Sequence, residues 1–256
     1  MLARGAVDWA RNVLADDRMR TAVDHLKEPW AVRVPPTPVG EAEVGGEIQD
    51  WSGRFNLNNL APDGKPDAAA GEAFVRLLEA VGVGTGEAQR LAARRVERIA
   101  YAGDEADRPR AGRAHDAAAR PLARALVDVA ELSAIAGYTP ELVARLADYA
   151  VALPAPSRVN INTAPAEVVF ALTSGLALDG ARVLVAERER AWFRDLADFS
   201  ARLPAGAQAA DATRVDVLSR FFLVTGRARH GVAVVRMQVL LDRNTTWPDI
   251  VWQRIL

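Results

Sequence analysis

The tail of the chain is the part of the sequence that most strongly indicates an architecture. It reads Phe221-Phe222-Leu223-Val224-Thr225-Gly226-Arg227-Ala228, continues with a Val-rich run over residues 231–241, and closes with residues 248–255. Runs rich in Val, Phe and Trp between Gly- and Asn-containing turns are typical of β-strands. The tail therefore predicts an antiparallel meander of three strands, with turns at His230-Gly231 and at Asp242-Arg243-Asn244-Thr245.

Strand-like sequence also occurs near the start of the chain. Glu43-Val44 and Glu47-Ile48-Gln49-Asp50-Trp51 alternate in polarity, with Gly45-Gly46 as a bend between them. Two short strands cannot form a stable sheet by themselves, so they need the tail. We therefore predict an α+β fold in which both ends of the chain share one antiparallel sheet and the long middle segment is an insertion.

The middle segment is helical by its periodicity and its capping residues. The predicted helices cover residues 69–81, 86–101, 128–136, 140–151, 166–173, 179–190 and 196–201, and Thr163 is the expected N-cap of the fifth. The predicted domains are a discontinuous α/β domain of residues 1–61 and 213–256 and a helical domain of residues 62–212. The helical domain divides into modules of about residues 62–156 and 157–212.

The first helix is predicted over residues 6–25, where apolar side chains recur near a 3.6-residue period. After it, Pro29, Pro35, Pro36 and Pro38 predict an extended loop. An amphipathic helix on its own sheet buries one stripe, and any remaining apolar stripe is available to partner helices. We therefore predict that one apolar face of the helix is shared between the sheet and a partner, formed by Trp9, Val13, Leu14 and Val23. The alternative is that these four residues belong only to the protein's own core.

Composition excludes several classes of function. Lys and Arg total 32 against 33 Asp and Glu, a net charge of −1, which disfavours nucleic-acid binding driven by bulk charge. The chain has no cysteine, so disulfides, thiolate catalysis and Cys-ligated metals are excluded. Its three histidines, His25, His115 and His230, share no ligand spacing, and no catalytic motif is present. We predict that the protein is not an enzyme and requires no cofactor.

Two Asn-rich motifs stand out. In Gly53-Arg54-Phe55-Asn56-Leu57-Asn58-Asn59-Leu60, the amides of Asn56, Asn58 and Asn59 are predicted to fasten a chain reversal where the sheet meets the helices. The second motif contains Asn160, Asn162 and Thr163 and is similar to the entry of helix-hairpin-helix modules, some of which bind DNA. Residues 157–204 carry six basic and six acidic side chains, so DNA binding is kept only as the alternative function.

An acidic segment at residues 102–119 raises the question of calcium. Asp104, Asp107 and Asp116 are the oxygen ligands that calcium prefers, in a segment that we predict to be a loop. Arg108, Arg110 and Arg113 lie among these carboxylates and would repel a cation, so calcium is the weaker interpretation and a solvated charged loop the stronger one.

Five motifs occur in an order that resembles a known family. They are His25-Leu26-Lys27-Glu28-Pro29-Trp30-Ala31, the motif at residues 53–60, Arg120-Pro121-Leu122 with Glu131-Leu132, the motif at residues 159–167, and Ser219-Arg220-Phe221-Phe222-Leu223. Over residues 6–256 the chain resembles the K-type minor pseudopilin of the type II secretion system. The two Asn-rich motifs at this separation are the most specific part of the resemblance.

The resemblance implies a pilin-like fold, in which a long N-terminal helix lies on an antiparallel sheet and carries an inserted helical domain of two modules similar to sterile-alpha-motif or helix-hairpin-helix units. It implies a non-enzymatic protein that caps the periplasmic pseudopilus together with the I-type and J-type minor pseudopilins and contacts secreted substrates. It implies no nucleic-acid partner.

Members of the family begin with an apolar membrane helix, which this sequence lacks. We therefore expect a periplasmic fragment of a protein that is anchored in the Gram-negative inner membrane. Members of the family also carry a more acidic run in the region that corresponds to residues 102–119. In this sequence, Ala and Arg replace much of that run.

Overall fold

The computed structural model describes residues 2–106 and 125–256. Its α-helices are α1 Leu2–Arg20, α2 Ala68–Ala80, α3 Thr85–Ala106, α4 Pro140–Leu146, α5 Ala166–Leu172, α6 Leu178–Arg188 and α7 Leu196–Ala201. Short 3-10 turns cover Pro29–Ala31, Leu57–Leu60, Pro62–Gly64 and Val129–Ala134. Its strands are β1 Val34–Val39, β2 Ala42–Asp50, β3 Phe55–Asn56, β4 Ala150–Val151, β5 Val159–Asn160, β6 Thr173–Ser174, β7 Gln208–Ala209, β8 Val215–Asp216, β9 Phe221–His230, β10 Ala233–Asp242 and β11 Asp249–Ile255.

One five-stranded antiparallel sheet combines the two ends of the chain. Its strand order is β1-β2-β9-β10-β11, so the early strand β2 pairs directly with the late strand β9. The register places Ile48 opposite Val224 and Asp50 opposite Phe222. The predicted three-strand meander and the predicted shared sheet are both confirmed.

The proline-rich segment is a strand, and the prediction of a loop there was wrong. Val34–Val39 forms the edge strand β1, which pairs with β2 and carries an irregularity between Val34 and Thr37. Proline lacks an N–H, so it is tolerated at a sheet edge, where half of the backbone donors face solvent. The same prolines protect this edge from pairing with another chain.

Helix α1 lies across one face of the sheet. Its Val7, Ala10 and Leu14 are buried in a cluster with Ile48 and Val224 of the sheet. The helix ends at Arg20 and not near His25 as predicted. The reason is tertiary, because Asp24 must leave the helix to bind Arg243 and to donate its backbone N–H to Val217.

The helical part has its own core, which centres on Phe74, Leu77, Leu132, Leu146 and Phe199. Three two-residue strand pairs brace it, formed by β3 with β4, β5 with β8, and β6 with β7. A smaller buried cluster of Val151, Leu153, Phe221 and Leu240 joins this part to the sheet. Phe55, Leu57 and Leu60 pack with the helical core, and the division at residues 61 and 62 stays a prediction.

Several predicted helices differ from those observed. Residues 129–134 form a 3-10 turn, and α4 stops at Leu146, so that Ala150–Val151 can pair as β4 with β3. Helix α3 continues to Ala106, so residues 102–106 are helical and do not belong to the predicted loop. The likeness of the two modules to sterile-alpha-motif or helix-hairpin-helix units remains a prediction.

Candidate interaction groove and the buried polar junction

An apolar groove runs along one side of α1. It has a volume of about 500 Å³, its wall is Gly5, Ala6 and Trp9, and its floor is formed by Val34, Val39, Val44, Gly46 and Gly226. Trp9 is 44% exposed, which is unusual for so large an apolar side chain. A concave apolar surface beside a half-exposed tryptophan is suited to bind another apolar element.

The four residues predicted to form a shared face of α1 do not lie together. Leu14 is fully buried in the protein's own core, so it offers no surface to a partner. Val13 is half-buried against that core, and Val23 lies beyond the helix end, packed on the core of the helical part. Trp9 is the predicted residue that lines the groove. The 3.6-residue period could not show that the helix ends at Arg20, before Val23, because the contact of Asp24 with Arg243 depends on the tertiary structure.

The first Asn motif fastens distant segments together. The Asn58 side chain donates to the carbonyls of Leu126 and Leu153 at 2.9 and 2.8 Å and accepts from the Leu126 N–H at 2.9 Å. The Asn56 carboxamide oxygen accepts the N–H of Leu153, and Asn59 donates to the Ser157 carbonyl at 2.6 Å. These amides satisfy backbone groups that the irregular chain leaves unpaired.

The second Asn motif connects the sheet to the helical part. Asn160 is fully buried and donates to Ser219 Oγ at 2.7 Å and to the Asp24 carbonyl at 3.1 Å. Asn162 exchanges two 2.8 Å hydrogen bonds with the backbone of Phe193. The prediction that Thr163 is an N-cap was wrong. Pro165 holds that position, and the Thr163 hydroxyl donates to Asp50.

A buried cation lies at the junction of helix, loop and sheet. The Arg243 side chain is 0% exposed, and it binds Asp17 at 2.9 Å and Asp24 at 2.5 Å. It also donates to the Ser219 carbonyl at 3.0 Å. Glu28 lies nearby and accepts from the Trp30 indole at 2.7 Å. Composition gave no sign of this junction, because its members are far apart in sequence.

The carboxylates of the junction outnumber its cation. Burial raises the pKa of Asp17, Asp24 and Glu28, although Arg243 opposes the shift for the two aspartates. Burial also raises the pKa of Asp50 to about 6, although hydrogen bonds from Ser219 and Thr163 lower it. Asp50 therefore keeps its proton at a pH where exposed carboxylates are ionised.

Two groups of carboxylates offer the oxygen ligands that a metal ion needs. Asp17, Asp24 and Glu28 have ligand atoms within 4.8 Å of one another, but Arg243 already occupies the space between the two aspartates. Of the predicted calcium ligands, Asp104 lies on α3, whereas Asp107 and Asp116 lie outside the described residues. The calcium interpretation therefore remains a prediction.

The described histidines have structural surroundings. His25 stacks on Trp192 with 3.9 Å between ring centroids, and burial lowers its pKa. His230 lies 3.4 Å from Glu41 on exposed strand ends. His115 lies outside the described residues.

Among residues 2–106 and 125–256, none of the helices combines the length and the apolar composition that a membrane span requires.

Comparison with known proteins gives consistent matches. Two family models, both described as type II secretion system (T2SS), protein K, match residues 53–155 and 159–217. The chain is 29% identical over 239 residues to the type II secretion system protein K of Pseudomonas aeruginosa, covering 88% of this chain and 68% of that protein. It superposes with a TM-score of 0.79 on a chain of the GspK-GspI-GspJ complex from enterotoxigenic Escherichia coli, at 21% identity and covering 100% of this chain and 94% of that one.

The structure defines an α+β protein, with a sheet that both chain ends share, a helical insertion and an apolar groove beside α1. The two matched segments span well over half of the 256 residues. The chain therefore belongs to the type II secretion system protein K family. That family is a component of a secretion machinery and not a known class of enzyme, and these matches do not favour the DNA-binding alternative.

Proposed function

We propose that this protein is a minor pseudopilin that caps the tip of the periplasmic type II secretion pseudopilus, in a complex with the I-type and J-type minor pseudopilins. The observation that carries the proposal is the match of residues 53–155 and 159–217 to protein K. The similar fold of a chain from a GspK-GspI-GspJ complex supports it. The protein acts at the periplasmic face of the inner membrane, and its anchorage by an N-terminal helix is part of the same proposal.

The position of the insertion supports a capping role. The helical part leaves the sheet after β2 and returns before β9, at the end where Asp17 of α1 meets Arg243. Val23, just beyond α1, packs on the core of that helical part. The bulk of the insertion therefore lies at the C-terminal end of α1. In a filament of parallel first helices, that bulk blocks the place where a further subunit would add above.

The groove beside α1 supports binding of a partner's first helix. Gly5 and Ala6 have small side chains, so a second helix can approach α1 closely along the same face of the sheet. A helix bound in the groove would bury Trp9 and the valines of the floor. Its apolar stripe would then lie on an apolar surface. We assign the occupant to the first helix of the I-type or J-type pseudopilin.

The test is co-purification of the chain with the I-type and J-type ectodomains, measured by size exclusion with light scattering. We expect a stable 1:1:1 complex with the unchanged chain. Trp9→Asp should abolish this complex, whereas Met19→Asp should preserve it, since Met19 is 69% exposed on the same helix but outside the groove. Circular dichroism of each variant checks that its fold is intact.

Two outcomes would contradict these proposals separately. If the unchanged chain stays monomeric with both ectodomains, the assembly proposal is wrong. If Trp9→Asp still forms the complex at full strength, the assembly stands and the groove is not the helix-binding surface.

A further inference from the structure

A basic patch lies on the face of the sheet that α1 leaves open. Gly226 faces α1, because a Cβ added there would lie 4.0 Å from the Ala6 Cβ. Side chains alternate along a strand, so the adjacent Arg227 points to the opposite face. A concavity of about 470 Å³ on that side is bordered by Arg33, Arg227, Arg229 and Arg236 and by Glu43 and Glu47. We call these six residues the basic patch.

Two arginines of the basic patch oppose each other, and none of the residues in 2–106 and 125–256 is a counter-ion to either of them. Arg227 and Arg236 are register partners on β9 and β10, and both side chains are exposed. Like charges directly opposite each other on a sheet are destabilising. Neither guanidinium forms a hydrogen bond or ion pair with any residue in the described part of the chain. The folded protein therefore contains an electrostatic repulsion between Arg227 and Arg236, which a bound anion would reduce.

The acidic members of the basic patch do not neutralise it. Glu43 lies 3.9 Å from Arg229, and Glu47 lies 4.0 Å from Arg33, with the arginines 57% and 82% exposed. Exposed ion pairs at such distances contribute little. Four arginines against two glutamates leave a positive surface on a chain whose net charge is −1.

One side of the concavity is closed by the backbone of the edge strand. Gly45 is the register partner of Arg227 on β2, and a Cβ at Gly45 would lie 3.0 Å from the Pro36 nitrogen. The space over Gly45 is therefore filled by backbone, and the room for a ligand is the concavity that the four arginines border.

We propose that the basic patch binds an extended acidic segment of a protein partner, in which carboxylates occur at alternating positions. Arg227 and Arg229 share a face two residues apart, so they repeat at about 6.8 Å, the spacing of alternate side chains in an extended peptide. Guanidinium and carboxylate groups bind in a bidentate manner. The concave shape favours a peptide over a flat bilayer. This site goes beyond the proposed function, because it lies on the opposite face from α1 and its groove.

The experiment is fluorescence anisotropy of a labelled eight-residue peptide of alternating glutamate and threonine, titrated with the intact chain at low salt. We expect saturable binding that weakens at least tenfold at high salt, because exposed charges are screened. The same peptide with glutamine in place of glutamate should not bind. Arg227→Gln and Arg236→Gln should each weaken binding at least fivefold without lowering the Tm, since each substitution relieves the like-charge pair.

The matched control is Arg190→Gln, which removes an exposed arginine that follows α6 and lies outside the basic patch, and it should leave peptide binding unchanged. Equal binding of the glutamate and glutamine peptides would overturn the proposal, and so would unchanged binding in both patch variants. Binding to phosphatidylglycerol vesicles with the same arginine dependence, but not to the peptide, would assign the patch to a membrane instead. Assembly of the patch variants with the I-type and J-type ectodomains is a separate readout, so failure here is distinguishable from failure of the proposed function.

Discussion

Arg243 shows how one residue fixes the relation of three chain segments. Its partners are Asp17 on α1, Asp24 in the following loop and the Ser219 carbonyl just before β9. A buried ion pair is weak evidence of net stabilisation, because desolvation offsets the attraction. Its removal is nevertheless costly, since the carboxylates that remain have no compensating cation.

Replacing Arg243 should therefore destabilise the protein strongly. We expect Arg243→Ala to lower the free energy of unfolding by about 3–5 kcal/mol, the usual cost of breaking a buried ion pair from one side. Urea unfolding measures the change. The control is Arg20→Ala, whose side chain is 72% exposed and whose ion pair with Asp16 is worth well under about 1 kcal/mol. Equal effects of the two substitutions would contradict the role of Arg243.

Asp50 should make stability depend on pH. Its pKa is raised from 3.8 to about 6, so between these values the folded state binds more protons than the unfolded state. Unfolding free energy therefore falls as pH rises through this window and changes no further above it. From pH 4.5 to 7.5 the loss due to Asp50 is about 2 kcal/mol.

The corresponding measurement is urea unfolding of Asp50→Asn at those two pH values. We expect its stability difference between them to be about 2 kcal/mol smaller than that of the unchanged chain, because the substituted amide does not titrate. A residual slope should remain from Asp17, Asp24 and Glu28, whose pKa values are also raised. An unchanged slope in Asp50→Asn would show that Asp50 titrates normally.

At the scale of elements, α1 separates stability from binding along its surface. Leu14 is 0% exposed under the helix, whereas Trp9 is 44% exposed at its side. Leu14→Ala should cost about 2–5 kcal/mol of stability, because it removes buried methyl groups and leaves a cavity. Trp9→Ala should cost much less. Thermal and urea unfolding of both variants would test this order, and the reverse order would mean that Trp9 belongs to the core.

The two edge strands of the sheet, β1 and β11, differ in how well they are protected from pairing with another strand. Strand β1 carries Pro35, Pro36 and Pro38, so it cannot offer a continuous row of donors. Strand β11 has no proline in its seven residues and is exposed along most of its length. Natural edge strands are commonly protected. The protected edge is the one beside the groove, since Val34 and Val39 of β1 line it.

At the scale of the whole molecule, the chain leaves the sheet for the helical part and returns to the sheet at neighbouring positions. Asp50 and Phe222 face each other across β2 and β9, and the Trp51 N–H donates to the Phe221 carbonyl at 2.9 Å. The long insertion therefore leaves and returns at adjacent points, as a hairpin loop would.

Excision of the insertion should leave a folded sheet. Replacing residues 52–220 by Asn-Gly would connect Trp51 to Phe221 through a two-residue hairpin turn. We expect circular dichroism to show a folded helix and sheet with a lower Tm, because Phe221 and Leu240 lose the cover of Val151 and Leu153. A chain without a cooperative transition would show that the sheet and α1 need the helical part in order to fold.

Local signals were sufficient for the architecture and insufficient for the surfaces. The meander of β9, β10 and β11 followed from Val-rich runs and turns, and most helices followed from periodicity and caps. The prolines of β1 misled the prediction, because local propensity cannot show that a strand lies at an edge. Thr163 misled it likewise, since its hydroxyl binds Asp50, a residue 113 positions away.

The sequence by itself determined the α+β class, the sheet built from both ends, the helical insertion and the resemblance to the K-type pseudopilins. All of these depend on periodicity, turn residues and motif order, which are properties of neighbouring residues. Only the tertiary structure decided that Leu14 is core while Trp9 lines a groove, that Arg243 joins three segments, and that Arg227 faces Arg236 across a sheet. Each of these depends on contacts between residues far apart in the chain, which sequence spacing does not specify.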